Sequence, residues 1–122
     1  MAKVLIIEDN AANMTLAVFL LHSVGHTVLS ATDAEAALAL ARDEQPNLIL
    51  MDIQLPGMDG LEATALLKGD VATDAIPVIA LTALAMKGDE ERIRAAGCDG
   101  YIAKPMRYQD FLTTITAQLA RA

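Results

Sequence analysis

Five polar residues in this 122-residue chain stand where apolar runs end. Glu8 and Asp9 follow KVLII (Lys3 to Ile7), and Asp52 lies near the end of NLILMDI (Asn47 to Ile53). Thr82 closes the run that begins at Ile76, and Lys104 follows the short run Gly100 to Ala103. Brought together, they would supply three carboxylates, one hydroxyl and one amine. Two like charges about 5 Å apart repel by roughly 3 kcal/mol at an effective dielectric near 20. Crowded carboxylates therefore need a counter-ion or a proton. Magnesium suits such a set, because it takes few carboxylates, keeps waters and leaves positions for phosphate oxygens. A carboxylate can also attack phosphorus and form an acyl phosphate. Phosphoryl transfer asks the protein mainly for positioning and charge stabilisation, which a metal and a lysine provide. On this reading Asp52 is the nucleophile and Lys104 a point charge for Asp52 or an incoming phosphoryl group. Thr82 is then a neutral donor that responds to phosphate.

Taken singly, each residue has a plainer role. An acidic pair after a strand often complements a helix N-terminus; Thr82 alone reads as a helix cap, and a lysine before proline as a surface residue. Asp52 is harder to dismiss, since an unpaired carboxylate inside an apolar strand is costly to bury. Joint placement favours the chemical reading, and that depends on the elements.

The chain alternates strand-length apolar runs with helix-length segments. Strands are expected at Lys3 to Ile7, His26 to Ala31, Asn47 to Ile53, Ile76 to Leu81 and Gly100 to Ala103. Helices are expected at about Ala12 to Ser23, Thr32 to Glu44, Leu61 to Lys68, Lys87 to Ala96 and Tyr108 to Leu119. Gly25 closes the first helix. Thr32-Asp33-Ala34-Glu35 has capping-box spacing and opens the second. Five βα units with near-continuous apolar strands imply a parallel sheet covered on both faces. With right-handed crossovers, the economical fold is α/β: a doubly wound, flavodoxin-like five-stranded parallel sheet of order 2-1-3-4-5. Ligands in such sheets bind at the carboxyl ends of the strands, beside the switch point between strands one and three. Glu8, Asp9, Asp52, Thr82 and Lys104 all reach that rim.

Composition narrows the remaining classes. Residues are 54% hydrophobic and only 3% aromatic, so the core is aliphatic. A net charge of -7 and no basic block argue against nucleic-acid binding. No apolar run reaches the roughly 18 residues of a membrane span, and the start lacks a signal-peptide layout; the expected location is the cytoplasm. The single Cys98 reads as a buried, inert thiol, and His22 and His26 as loop or surface residues.

The segments VLIIEDN, LILMDIQLPGMDG, PVIALTA and GYIAKP resemble the response-regulator receiver domains of bacterial two-component and phosphorelay systems, over essentially the whole chain. Spacing agrees: Thr82 and Lys104 follow Asp52 by 30 and 52 residues. DIQLPGMDG and AMKGDEERIRAAGCDGYIAKP are most similar to the DivK-type single-domain regulators of that family. The resemblance implies a single receiver domain over residues 1–122 with no output domain. It implies Mg2+-dependent phosphorylation of Asp52 by a histidine kinase or phosphotransfer protein, with slow autodephosphorylation, in a signalling phosphoacceptor rather than an enzyme. Glu8, Asp9, Asp52 and the backbone carbonyl of Gln54 would hold the metal. Thr82 would be the switch hydroxyl, Lys104 the phosphoryl-binding lysine, Tyr101 the aromatic that turns inward, and Lys104-Pro105 a cis peptide.

Departures from the family pattern are mild. Glu8 replaces the commoner Asp, which favours a water-mediated metal contact. Gln54 and Leu84 fall where the family tunes autodephosphorylation, and a bulky Leu84 would hinder the attacking water. In the first helix, Met14, Ala17, Val18 and Leu21 form one stripe facing the sheet. Asn13, Leu16 and Leu20 fall on another face, suited either to kinase or phosphotransfer docking or to contact with the last helix. The polar fourth helix offers few core anchors and suits a moving element. Output to a downstream protein is expected from the face of helix four, strand five and helix five.

Three other functions fit less well. A pseudo-receiver has no need of the intact acidic set with Thr82 and Lys104. Aspartate phosphatases generally need a second acid two residues after the nucleophile, where Gln54 stands. A flavin or dinucleotide carrier would want a glycine-rich phosphate loop after the first strand.

Overall fold

The computed structural model describes residues 2–83, 87–104 and 107–121. Each expected apolar run forms a strand: β1 (Lys3–Ile7), β2 (Thr27–Ala31), β3 (Leu48–Asp52), β4 (Val78–Thr82) and β5 (Gly100–Ala103). Between and after them lie α1 (Ala11–Ser23), α2 (Ala34–Glu44), α3 (Gly60–Lys68), α4 (Lys87–Ala95) and α5 (Tyr108–Ala120). The strands make one parallel sheet in the order β2-β1-β3-β4-β5, as the βα alternation predicts.

Alternation along the strands divides the core into two layers. Val4, Ile6, Leu48, Leu50, Ile79, Leu81 and Ile102 pack with Ala17, Leu20 and Leu21 of α1 and Phe111 and Ile115 of α5. Leu5, Ile7, Ile49, Met51, Val78 and Ala80 pack on the other face with alanines of α2, with Ala63 and Leu67 of α3, and with Ile93 of α4. Every residue of β3 and β4 is buried, as a central parallel strand requires.

Local chemistry sets the helix ends. Asn10, Asp33 and Asp59 cap α1, α2 and α3, accepting from the backbone N–H of Asn13, Ala36 and Glu62 at 2.8–2.9 Å. α1 closes as a Schellman motif: Gly25, at φ 88°, donates to the His22 carbonyl while His26 donates to that of Leu21.

Three expectations need correction. Asp33, not Thr32, caps α2, because a carboxylate is the stronger acceptor at a helix N-terminus. β4 begins two residues late, at Val78, since Pro77 has no N–H to give the ladder, and it runs through Thr82. Leu20 is 2% exposed and sits in the core with Phe111 and Ile115, so it belongs to no docking face. α1 packs against both the sheet and α5, which widens its buried arc beyond a single stripe.

Among the described residues, no helix is long and apolar enough to cross a membrane. Cys98 is buried, its thiol pushed up by desolvation as an inert core cysteine requires. His22 is exposed, and His26 is half-buried, its Nδ1 accepting from the Ala2 N–H at 3.2 Å.

Candidate functional site

β1 and β3 are paired neighbours, Ile7 beside Met51, so the residues after β1 and at the end of β3 share one rim. Side-chain parity then sorts them. Glu8 continues the series Val4, Ile6; Asp52 continues Leu48, Leu50; Lys104 follows Ile102. All three therefore fall on the α1 and α5 side. Thr82 continues Val78 and Ala80, on the side of α4.

Distances bear this out. Lys104 Nζ lies 2.7 Å from Glu8 Oε1 and 3.1 Å from Asp52 Oδ2. The Glu8 side chain is fully buried and that of Asp52 is 4% exposed. Asp9 is exposed at the mouth, yet Glu8, Asp9 and Asp52 each offer an oxygen within 4.8 Å of the others. Lys104 itself is fixed by its backbone N–H, which donates to the Thr82 carbonyl at 2.7 Å. The Gln54 N–H donates to Asp52 Oδ1 at 3.1 Å, and the Asn10 N–H to Glu8 Oε2 at 3.3 Å. Asp52 is thus held from both sides.

The electrostatics follow from one amine shared by two buried acids. Burial pushes the Asp52 carboxyl up, and contact with Glu8 pushes it further. Lys104 and the Gln54 N–H only partly offset this, leaving Asp52 at about 7 against its ordinary 3.8. Burial also raises Glu8, but contacts with Asp52, Lys104 and the Asn10 N–H outweigh it and hold Glu8 below its usual value. For Lys104, burial lowers the ammonium, and the two carboxylates more than reverse it. Without a further cation, the pair keeps its charge chiefly on Glu8.

A divalent cation fits these residues. Glu8 Oε1 is buried, and among the described residues its polar contact is the ion pair with Lys104 at 2.7 Å, with no geometrically satisfied hydrogen bond. Three carboxylates converge around it, an all-oxygen donor set of the kind magnesium takes.

Thr82 is buried at the end of β4 and lines a cavity of about 250 Å3 with Gln54, Asp59, Leu61, Arg92 and Ile93. Tyr101 is half-buried against the α2–α3–α4 layer. Asn13 is half-buried and Leu16 is 41% exposed on α1. Leu84 and Pro105 lie outside the described residues.

Two residues escaped the sequence reading. Phe19 is 67% exposed on α1, one turn after Leu16, and is its most exposed large apolar side chain. A helix that looks apolar all round gives no sign of which side chain faces out. Gly60 opens α3 directly against β3: a Cβ there would run into the Asp52 carbonyl oxygen. Its position after Asp59, the helix cap, marks a helix start but not what that start packs against.

Known proteins share both sequence and shape with this chain. Residues 4–116 match the response regulator receiver domain family. The polar-differentiation response regulators DivK of Brucella anthropi and Brucella ovis are each 50% identical over 120 residues, covering 98% of both chains. Among solved structures, the receiver domain of a Pseudomonas aeruginosa sensor histidine kinase superposes with a TM-score of 0.90 at 33% identity, covering 98% of each chain. That protein carries a magnesium ion coordinated in its active site cleft. The chemotaxis response regulator CheY4 of Vibrio cholerae gives a TM-score of 0.92 at 26% identity, covering 97% of this chain and 98% of its own.

Proposed function

This chain belongs to the response regulator receiver family of two-component systems, and from that membership we propose that Asp52 is its phosphoacceptor. The observation that carries the assignment is the convergence of Glu8, Asp52 and Lys104 within ion-pair distance at one rim of the sheet.

In this reading an Asp52 carboxylate oxygen attacks phosphorus on a phosphohistidine or a small acyl phosphate. The donor's bond to phosphorus breaks as the acyl-phosphate bond forms, and the donor leaves with the electron pair. Glu8, Asp9, Asp52 and the Gln54 backbone carbonyl would hold magnesium. When bound, the ion supplies positive charge to the carboxylates and the phosphoryl oxygens. Lys104 moves its ammonium contact from Asp52 Oδ2 to a phosphoryl oxygen. The Gln54 N–H holds the Asp52 carboxylate, and the close approach of Gly60 keeps the Asp52 peptide in place. Thr82 then donates its hydroxyl to another phosphoryl oxygen, and Tyr101 follows inward. In autodephosphorylation water attacks phosphorus, the bond to Asp52 breaks with its electron pair left on the carboxylate, and inorganic phosphate departs, slowly.

The phosphodonor docks on α1. Leu16 and Phe19 supply exposed apolar surface one helical turn apart, and Asn13 sits on the turn before Leu16. Leu16→Asp should block transfer from a phosphotransfer protein while leaving labelling by acetyl phosphate intact. The downstream protein reads the face of α4, β5 and α5, in the cytoplasm.

Intact mass after treatment with acetyl phosphate and magnesium tests the assignment. The parent should gain one phosphoryl group and Asp52→Asn none. Equal labelling of the two would place the phosphate elsewhere.

A further inference from the structure

Helices α2 and α3 lie on the face of the sheet opposite α1 and α5. A groove of about 250 Å3 runs between them, lined by Leu38, Arg42, Leu66, Leu67, Asp70 and Thr73. Leu66 is 51% exposed at its lip, and Val71, just past α3, is 91% exposed. Apolar side chains therefore reach solvent here, well away from Leu16 and Phe19 of α1.

The two ends of the groove differ. At the C-terminal ends of the helices, Arg42 Nε meets Asp70 Oδ2 at 3.4 Å, and Gln45 Nε2 donates to the Ala72 carbonyl at 2.9 Å. Those bridges close that end and hold α2 to the segment after α3. At the N-terminal ends, Glu35 stands one turn before Leu38 and Glu62 one turn before Leu66, each on the groove side of its helix. Both are exposed, and neither forms an ion pair among the described residues. The helix dipoles favour carboxylates in these first turns, but no described cation answers them. Asp43 and Asp74, exposed and likewise unpaired among the described residues, extend the negative surface beside Arg42 and Thr73. The groove thus has a neutral closed end, an apolar middle and a doubly negative open end.

We propose that this groove binds a basic amphipathic helix of a partner protein, with apolar side chains on Leu38 and Leu66 and a Lys or Arg against Glu35 and Glu62. Charge complementarity selects that occupant, because the surrounding carboxylates repel acidic segments and anionic lipid alike. A helix laid in a groove uses an apolar stripe for affinity and its flanking charges for choice of partner. The surface shares no residue with the rim at Asp52, with α1, or with the face of α4, β5 and α5. Its occupant is therefore a further partner, which can stay bound while those surfaces are used.

Two synthetic helical peptides of about 14 residues, roughly 21 Å at 1.5 Å per residue, test this. They share an apolar stripe, and one carries lysines near its ends where the other carries glutamates. Fluorescence anisotropy with the full chain should show the lysine peptide binding about ten-fold tighter, a difference of about 1.4 kcal/mol. Glu35→Gln with Glu62→Gln should erase the preference while the circular dichroism spectrum and phosphoryl incorporation stay unchanged. Glu91→Gln with Asp110→Asn, an equal loss of charge on α4 and α5, should leave the preference intact. Leu66→Asp should weaken the lysine peptide about ten-fold, and Leu16→Asp should not. No preference in the parent, or the same response to both double substitutions, would overturn the proposal, since net charge alone would then explain binding. Loss on Leu16→Asp instead of Leu66→Asp would place the peptide on α1 and overturn it as well. A homodimer that Glu35→Gln with Glu62→Gln dissolves, without peptide preference, would assign the groove to a second copy and contradict it too.

Discussion

The rim formed by β1 and β3 and the face formed by α4, β5 and α5 are built in opposite ways. Around the acids, strands are buried along nearly their whole length, and α1, α2 and α3 are each fastened by an Asn or Asp cap. On the other face β5 has only Ile102 buried, and α5 starts at Arg107 without a side-chain cap. Among the described side chains of α4, only Ile93 is buried. Groups that must hold a reacting geometry sit on the firmly packed part. Groups that must report a change sit where few contacts oppose movement.

Core truncation gives the largest test of that contrast. Leu50→Ala, in the fully buried β3, should cost about 2–5 kcal/mol by urea unfolding. Ile93→Ala should cost no more than about 2 kcal/mol, because the sparsely anchored α4 can settle into the space. Equal losses would erase the distinction between the two regions.

Titration of Asp52 comes next and sharpens the account of the rim. Its folded pKa is raised from 3.8 to about 7. The stability tied to its protonated form is therefore complete below about pH 4 and lost as pH rises through about 7. In chelator, Asp52→Asn should have a Tm close to the parent's near pH 4, with an advantage that widens up to about pH 7 and then levels. An advantage independent of pH would mean that Asp52 is not strained by burial and Glu8.

The smallest effects concern helix ends. Asp33→Ala should cost about 1 kcal/mol, and Thr32→Ala less than about 0.5, if Asp33 is the cap. Arg107→Ser should gain up to about 1 kcal/mol by giving α5 the cap it lacks. Equal costs at positions 32 and 33 would restore the capping-box reading.

Strand pattern carried most of the fold. Runs such as LILMD read as doubly covered parallel strands, and the βα alternation with right-handed crossovers left few sheet orders, of which 2-1-3-4-5 brings Glu8, Asp52, Thr82 and Lys104 to one rim. What stayed hidden depended on packing between elements. Leu20 and Phe19 are adjacent leucine-like positions on an apolar helix, and only the place of α5 decides that one is buried and the other exposed. The contact of Gly60 with the Asp52 backbone arises where α3 returns onto β3, which local sequence does not encode.

Borohydride reduction of the acetyl-phosphate-treated chain, followed by peptide mass mapping, probes the nucleophile directly. An acyl phosphate on Asp52 is reduced to homoserine, so the account predicts homoserine at position 52 and nowhere else. Reduction at Asp9 or Asp59, or a stable phosphate on Thr82, would contradict it.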